Sequence, residues 1–192
     1  AQFRLKFEEL FFIQLQLLRK NLIHKKKIKG YRFTEVGIHF NTFFNEHLPF
    51  KLTPAQKRVI KEIRQDLGAN AQMNRLLQGD VGSGKTIVAF MSMLLALDNG
   101  YQACILAPTE ILSVQHFNGL TEYCNKLNIS ISLLTGSTKT SDRKVLLEDL
   151  ENGKLNILVG THALLEDRVV FKNLGLAVID EQHRFGVAQR SK

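Results

Sequence analysis

The chain has 192 residues, 44% of them hydrophobic, with 26 basic and 18 acidic side chains for a formal charge of +8. That is apolar material for one large domain or one and a half small ones, and it excludes the disordered and fibrous classes. No apolar run approaches the ~18 residues of a membrane span, and Arg4, Lys6, Glu8 and Glu9 break up the start where a secretory signal needs apolar residues.

The first residue is Ala1 rather than Met, and the chain reads as a piece of something longer. Residues 1–28 contain neither Gly nor Pro, and Phe3, Phe7, Leu10, Phe11, Leu18 and Leu22 recur at helical spacing. Leu5, Phe12, Ile13 and Leu15 lie on other faces. This predicts a long helix buried on more than one side, packed on the main domain and on a further element. Charge is concentrated here: residues 1–50 hold 9 basic and 4 acidic groups, and residues 19–32 hold seven basic groups and no acid. The block, with Lys25, Lys26 and Lys27 at its centre, suits a solvated helix end, where the dipole favours cations. It equally suits contact with phosphate. A Phe-rich connector without clear period runs on to Phe50.

From Leu52 the pattern is regular. "LTPAQKRVIKEIRQDLG" has Thr53 as N-cap, Pro54 at the first helical position and Gly68 as a stop. An apolar run, "NRLLQ", then leads into Gly79, and four more follow: "ACILAP", "ISLLTG", "LNILVGT" and "LAVIDE". Helical stretches lie between these five runs, over residues 85–99, 110–127 and about 141–152. Near-continuous Ile/Leu/Val strands alternating with helices predict a parallel sheet covered on both faces. Ligands of such sheets bind beyond the carboxyl ends of the strands, where this chain places Gly79-Asp80, Pro108-Thr109, Thr135-Gly136, Thr161-His162 and Asp180-Glu181. Cys104 and Cys124 are too far apart for a Cys-x-x-Cys pair. They read as core thiols of a reducing compartment, hence cytoplasm.

Residues 79–86, "GDVGSGKT", form a complete P-loop signature. Gly79, Gly82 and Gly84 let the backbone of Asp80, Val81 and Ser83 curl so that successive N–H groups face one anion. The helix beginning near Lys85 adds its positive end. Lys85 is placed to reach the β- and γ-phosphates, and Thr86 to give a hydroxyl to Mg²⁺. ATP and Mg²⁺ are therefore the expected cofactors. In "LAVIDEQH" an Asp after an apolar strand, Asp180, is the residue type that anchors Mg²⁺. Glu181 beside it is placed to polarise an attacking water, which points to hydrolysis coupled to motion. Its plain alternative is a helix cap.

Taken in order, "GSGKT", "APTEIL", "LLTGS", "VGTHALL" and "DEQH" resemble the first motor lobe of a superfamily 2 helicase. The longer "VIDEQHRFGVAQR", with "LPFKLTPAQKRVIKEI", resembles the RecG family of bacterial DNA helicases, over about Phe3 to the last residue. The resemblance implies a RecA-like P-loop NTPase lobe, α/β, over residues 51–192, with a linker helix and connector over 1–50 toward a wedge-bearing DNA-binding domain. It implies that Gln56 reads the adenine edge and that Phe50 stacks on the base. Pro108, Thr109, Thr135, Gly136 and Thr161 would grip a DNA strand by its phosphates, and each threonine also has the ordinary role of helix N-cap. His183 would couple hydrolysis to movement. The implied whole is a monomeric, nucleoid-associated, double-stranded DNA translocase that remodels stalled forks and branched recombination intermediates. A second lobe would supply an arginine finger worth ~10³-fold or more. Arg184 and Arg190 lie too close to the Asp180 strand to replace it, so the 192 residues alone are expected to bind ATP weakly and hydrolyse it poorly. Two other readings stand beside this one: a transcription-repair coupling translocase, which shares the lobe, and a nucleotide-dependent binding module that never turns over.

Overall fold

The structure, a computed structural model, describes residues 7, 8, 10–19 and 29–185, with His183 by its backbone alone. Phe3, Leu5, Leu22, the lysines at 25–27, Arg190 and the His183 side chain lie outside the described residues. Helix α1 covers residues 10–19, and residues 7 and 8 are also helical. It does not pack on the main domain as expected: Leu10, Phe11, Phe12, Ile13, Leu15, Leu17 and Leu18 are all at least 50% exposed.

The connector fills the place expected of that helix. Phe33 and Phe43 are buried in the main core, and Phe43 sets its edge against Phe90 (5.0 Å) and Tyr123 (5.3 Å). Phe43 starts a π-helical turn (Phe43–His47) that continues the short helix α2 (Ile38–Thr42). The side chain of Asp98, only 1% exposed, holds the start of α2. It accepts backbone N–H bonds from Gly37 (2.9 Å), His39 (3.0 Å) and Phe40 (3.1 Å), and its Oδ1 lies 2.8 Å from His39 Nδ1. A segment with no readable period is thus fixed by aromatic packing and one buried carboxylate.

Helix α3 (Pro54–Leu67) begins as its residues predict. Thr53 and Gln56 form a reciprocal capping box with Pro54 at the first turn, and Ile60, Ile63 and Leu67 are buried. Helix α4 (Lys85–Asp98) is buried almost all round, from Ile87 to Ala96, as suits a central helix. Helices α5 (Glu110–Lys126) and α6 (Thr140–Glu151) match the predicted stretches to within a residue or so.

Four strands, β1 (Gln102–Leu106), β2 (Ile131–Leu134), β3 (Ile157–Gly160) and β4 (Leu174–Ile179), form one parallel sheet in the order β2-β3-β1-β4. The register sets Ala103 between Ile157 and Leu176, and Cys104 between Leu158 and Ala177. Alternation along the strands therefore divides the interior in two. Ala103, Ile105, Ile157, Val159 and Leu176 share a core with α3, α4 and α5. Cys104, Leu106, Leu134 and Leu158 share another with Leu150 of α6, Ala163, Leu164 and Phe185. Both thiols are free and buried, and burial pushes each up to about 12, in keeping with core cysteines.

The fifth predicted strand is absent. Residues 72–80 take no regular secondary structure, and Leu76 is 74% exposed. The Arg75 guanidinium is held by Glu62 Oε2 and Asp66 Oδ2 of α3, both at 2.7 Å, and Met73 and Leu77 pack against the main core, so side-chain contacts rather than a strand ladder anchor this segment. Adding it to β4 would also bury Asn74, Arg75 or Gln78 on a sheet face that wants apolar side chains. Among the described residues β4 is therefore an edge.

Candidate nucleotide and DNA site

The phosphate-binding loop is built by backbone conformation. Gly82 and Gly84 both have φ of +78°, where a side chain is strained, and Gly84 is the N-cap of α4. Lys85 Nζ donates to the carbonyls of Gly79 (2.6 Å) and Asp80 (2.7 Å), so the ammonium spans the loop. Thr86 is exposed in the next position, and Val81 is fully exposed, leaving its backbone as the useful part. The C-terminus of α4 turns straight into β1 through Tyr101 N–H to Ala96 O (3.0 Å). Its first turn therefore points toward the edge where the strands end.

Gln56 and Phe50 come to this loop. A Cβ on Gly84 would stand 2.5 Å from Gln56 Nε2 and push that amide aside, while Phe50 Cζ would lie at ordinary contact distance, 3.5 Å. Gln56 is occupied at both ends of its amide. Oε1 accepts from Thr53 N (2.8 Å) and Nε2 donates to Ser83 O (2.8 Å). An adenine edge must compete with those bonds.

Pro108, Thr109, Thr135, Gly136 and Thr161 follow the ends of β1, β2 and β3 on one edge of the sheet. The Thr109 hydroxyl caps α5, accepting from Leu112 N (3.3 Å). Thr135 is 3% exposed, and its hydroxyl donates to Glu110 Oε1 (2.8 Å). Ser137 donates to the same oxygen. These two hydroxyls, Ser137 first, hold the Glu110 carboxyl below the usual carboxylate range. Thr161 is 4% exposed, and its carbonyl accepts from Leu164 N (2.9 Å). The threonines at 135 and 161 thus serve the fold in this arrangement, while Gly136 and Ser137 form the open part of the turn.

Asp180 closes the ladder of β4, donating its N–H to Leu106 O (2.9 Å). Its Oδ1 accepts from Glu181 N (2.9 Å), and its Oδ2 lies 2.7 Å from His116 Nε2. Glu181 sits in the left-handed region (φ 50°, ψ 44°), which costs a non-glycine residue roughly 1–2 kcal/mol. Glu181 Oε2 lies 3.2 Å from Arg184 Nε. Glu181 is the N-cap residue of a short 3-10 turn (Gln182–Arg184), with no side-chain cap bond.

His116 is the residue that sequence reading missed. A usable signal exists: Ser113, Leu120 and Cys124 mark the buried face of α5, and His116 shares it at i+3 spacing. A histidine on that face has to find a partner at the sheet, and the partner is Asp180.

The donor set suits a nucleotide with a hard cation. Among the described residues no group of three or more His, Cys, Asp or Glu gathers to cage a metal. One carboxylate and one hydroxyl are what Mg²⁺ takes when phosphate and water complete its shell. The model of the DEAD/DEAH box helicase family matches residues 53–192. The chain belongs to that family. Within it, the chain is 50% identical to the ATP-dependent DNA helicase RecG of Synechocystis sp. and 46% identical to that of Bacillus subtilis, covering all of this chain and 23% and 28% of theirs. A solved structure of RecG bound to a three-way DNA junction is 45% identical, with a TM-score of 0.82 over 94% of this chain and 24% of that one. A hypothetical ATP-dependent RNA helicase from Sulfolobus tokodaii, at 18% identity and a TM-score of 0.55 over 76% of this chain and 41% of that one, shares the fold. The family's RecA-like lobe is thus the fold expected, and the RecG resemblance holds over the whole chain. The chain spans about a quarter of the length of these RecG relatives. No described helix is long and apolar enough to cross a membrane.

Proposed function

We propose that these residues are the ATP-binding motor lobe of an ATP-dependent DNA helicase of the RecG kind. In the whole protein the lobe drives a monomeric double-stranded DNA translocase on stalled forks and branched recombination intermediates, in the bacterial cytoplasm at the nucleoid. Residues 51–192 are the lobe, and residues 1–50 lead toward a DNA-binding domain. The observation that carries the reading is the pairing of a P-loop, with Lys85 across its mouth, and an Asp180-Glu181 pair at the end of the neighbouring sheet's edge strand. The RecG relatives, one of them described as bound to a three-way junction, support DNA as the track.

The work of each residue follows from its chemistry. The loop N–H groups and the α4 N-terminus bind the phosphates. Lys85 moves from the loop carbonyls to the β- and γ-phosphate oxygens. Gln56 and Phe50 select and stack the base. Thr86 and Asp180 hold Mg²⁺, which when bound neutralises charge developing on the phosphates. Glu181 orients and deprotonates water, once it leaves Arg184. Pro108, Thr109 and Gly136 meet the DNA backbone without reading sequence, Thr135 and Thr161, buried here, join them only if their turns rearrange on DNA, and His183 relays hydrolysis to movement.

The test is ATP hydrolysis by the full-length protein on a three-way junction and on linear duplex of the same length. The expected result is stronger stimulation by the junction, with DNA affinity falling steeply as salt rises. Turnover indifferent to either DNA would sink the proposal.

A further inference from the structure

The bond between His116 and Asp180 joins elements 64 residues apart, and none of the roles assigned above uses it. An ionised carboxylate only accepts, so the imidazole must donate from Nε2, which fixes its tautomer. The side chains are 17% and 36% exposed, so water competes weakly for the histidine and freely for the carboxylate. With Oδ2 taken by His116 and Oδ1 by the Glu181 N–H, each oxygen keeps one lone pair. The carboxylate cannot turn about its Cβ–Cγ bond without breaking both contacts.

We propose that His116 is a positioning residue for the Mg²⁺–ATP site, holding the Asp180 carboxylate in its ligating orientation from α5. This rests on the reading of Asp180 as the metal-binding carboxylate. Carboxylates that bind metals are themselves held by outer hydrogen bonds, and losing such a partner commonly costs 10–100-fold in metal affinity or activity. Asp180 needs that support more than most. It stands at the end of an edge strand, and the residue after it is in a strained left-handed conformation. Its own chain gives one support, the Glu181 N–H on Oδ1, which leaves Oδ2 to be held from elsewhere. The rigid anchor is α5, whose Ser113, Leu120 and Cys124 are fully or almost fully buried on the same face.

The experiment uses the full-length protein and a fluorescent ATP analogue, with binding measured in EDTA and across a Mg²⁺ titration. In His116→Ala the Mg²⁺ concentration for half-maximal tightening is expected to rise about 10–100-fold, with metal-free affinity within about threefold of the parent. His116→Gln, which places an N–H donor near the position of Nε2, is expected to recover most of the loss. If His116→Ala does not fold, His116→Asn, polar but too short to reach, takes its place with the same expectation. A parental Mg²⁺ midpoint in the folded Ala or Asn variant overturns the proposal. So does equal weakening with and without Mg²⁺, which marks a structural role only. A parent protein whose nucleotide binding ignores Mg²⁺ overturns the underlying site reading as well, and shows itself before any substitution is made.

Discussion

Replacing Glu181 with Gln in the full-length protein is expected to lower DNA-stimulated ATP turnover by roughly 10²–10⁴-fold, the usual contribution of a general base. Binding of ATP should change little. Gln keeps the size of Glu and an oxygen that can accept from Arg184 Nε, now 3.2 Å from Glu181 Oε2, so the turn after β4 retains its contact. What is lost is the ability to take a proton from water. The distinction matters because a nucleotide switch that never turns over has no use for this carboxylate. Single-turnover hydrolysis with a parallel binding titration checks it. Turnover within about threefold of the parent, with DNA present, would remove Glu181 from the mechanism and reopen the switch reading.

The second large effect is on stability. Asp98→Ala removes an acceptor that serves three backbone N–H groups and the His39 imidazole from a side chain 1% exposed. Each buried donor left without a partner costs roughly 1–3 kcal/mol, and a carboxylate at a helix start also gains from the dipole. Part of the loss will be recovered by water reaching α2, so the net expectation is about 2–5 kcal/mol, a fall in Tm on the order of 10 °C for a domain of this size. Urea and thermal denaturation measure it. Asp98→Asn, which keeps one acceptor oxygen, should fall between. A loss below about 1 kcal/mol would mean the connector is held by Phe33 and Phe43 alone.

These two residues also mark what a sequence can and cannot disclose. Asp180-Glu181 was legible because local features frame it: an apolar strand before it and a P-loop upstream. Thr53, Pro54 and Thr109 fixed helix starts for the same reason, since capping is a contact between residues three apart. Asp98 and His116 were not legible as partners. Their contacts reach 58–64 positions along the chain, and no periodicity encodes such a distance. Two failures run the other way. Residues 1–28 have apolar faces that predict burial, yet the described part of α1 is exposed, while the connector's Phe33 and Phe43 enter the core. "NRLLQ" has the composition of a strand, but Arg75 pairs with two carboxylates on α3 and Leu77 packs on the core without joining the sheet. In both cases the contacts made are long-range ones that local composition does not encode.

The edge position of β4 has a consequence for the lobe's motions. Asp180 donates inward to Leu106, and N–H groups alternate sides along a strand. The amides of Val178 and Asp180 therefore face β1, while those of Ala177 and Ile179 face outward, with no strand beside them among the described residues. Hydrogen–deuterium exchange should divide this one strand into fast and slow amides, with β1 and β3, each paired on both sides, the slowest of the sheet. The strand that ends in Asp180 is then also among the first to open, so the carboxylate proposed to hold Mg²⁺ is mounted on one of the sheet's most compliant members.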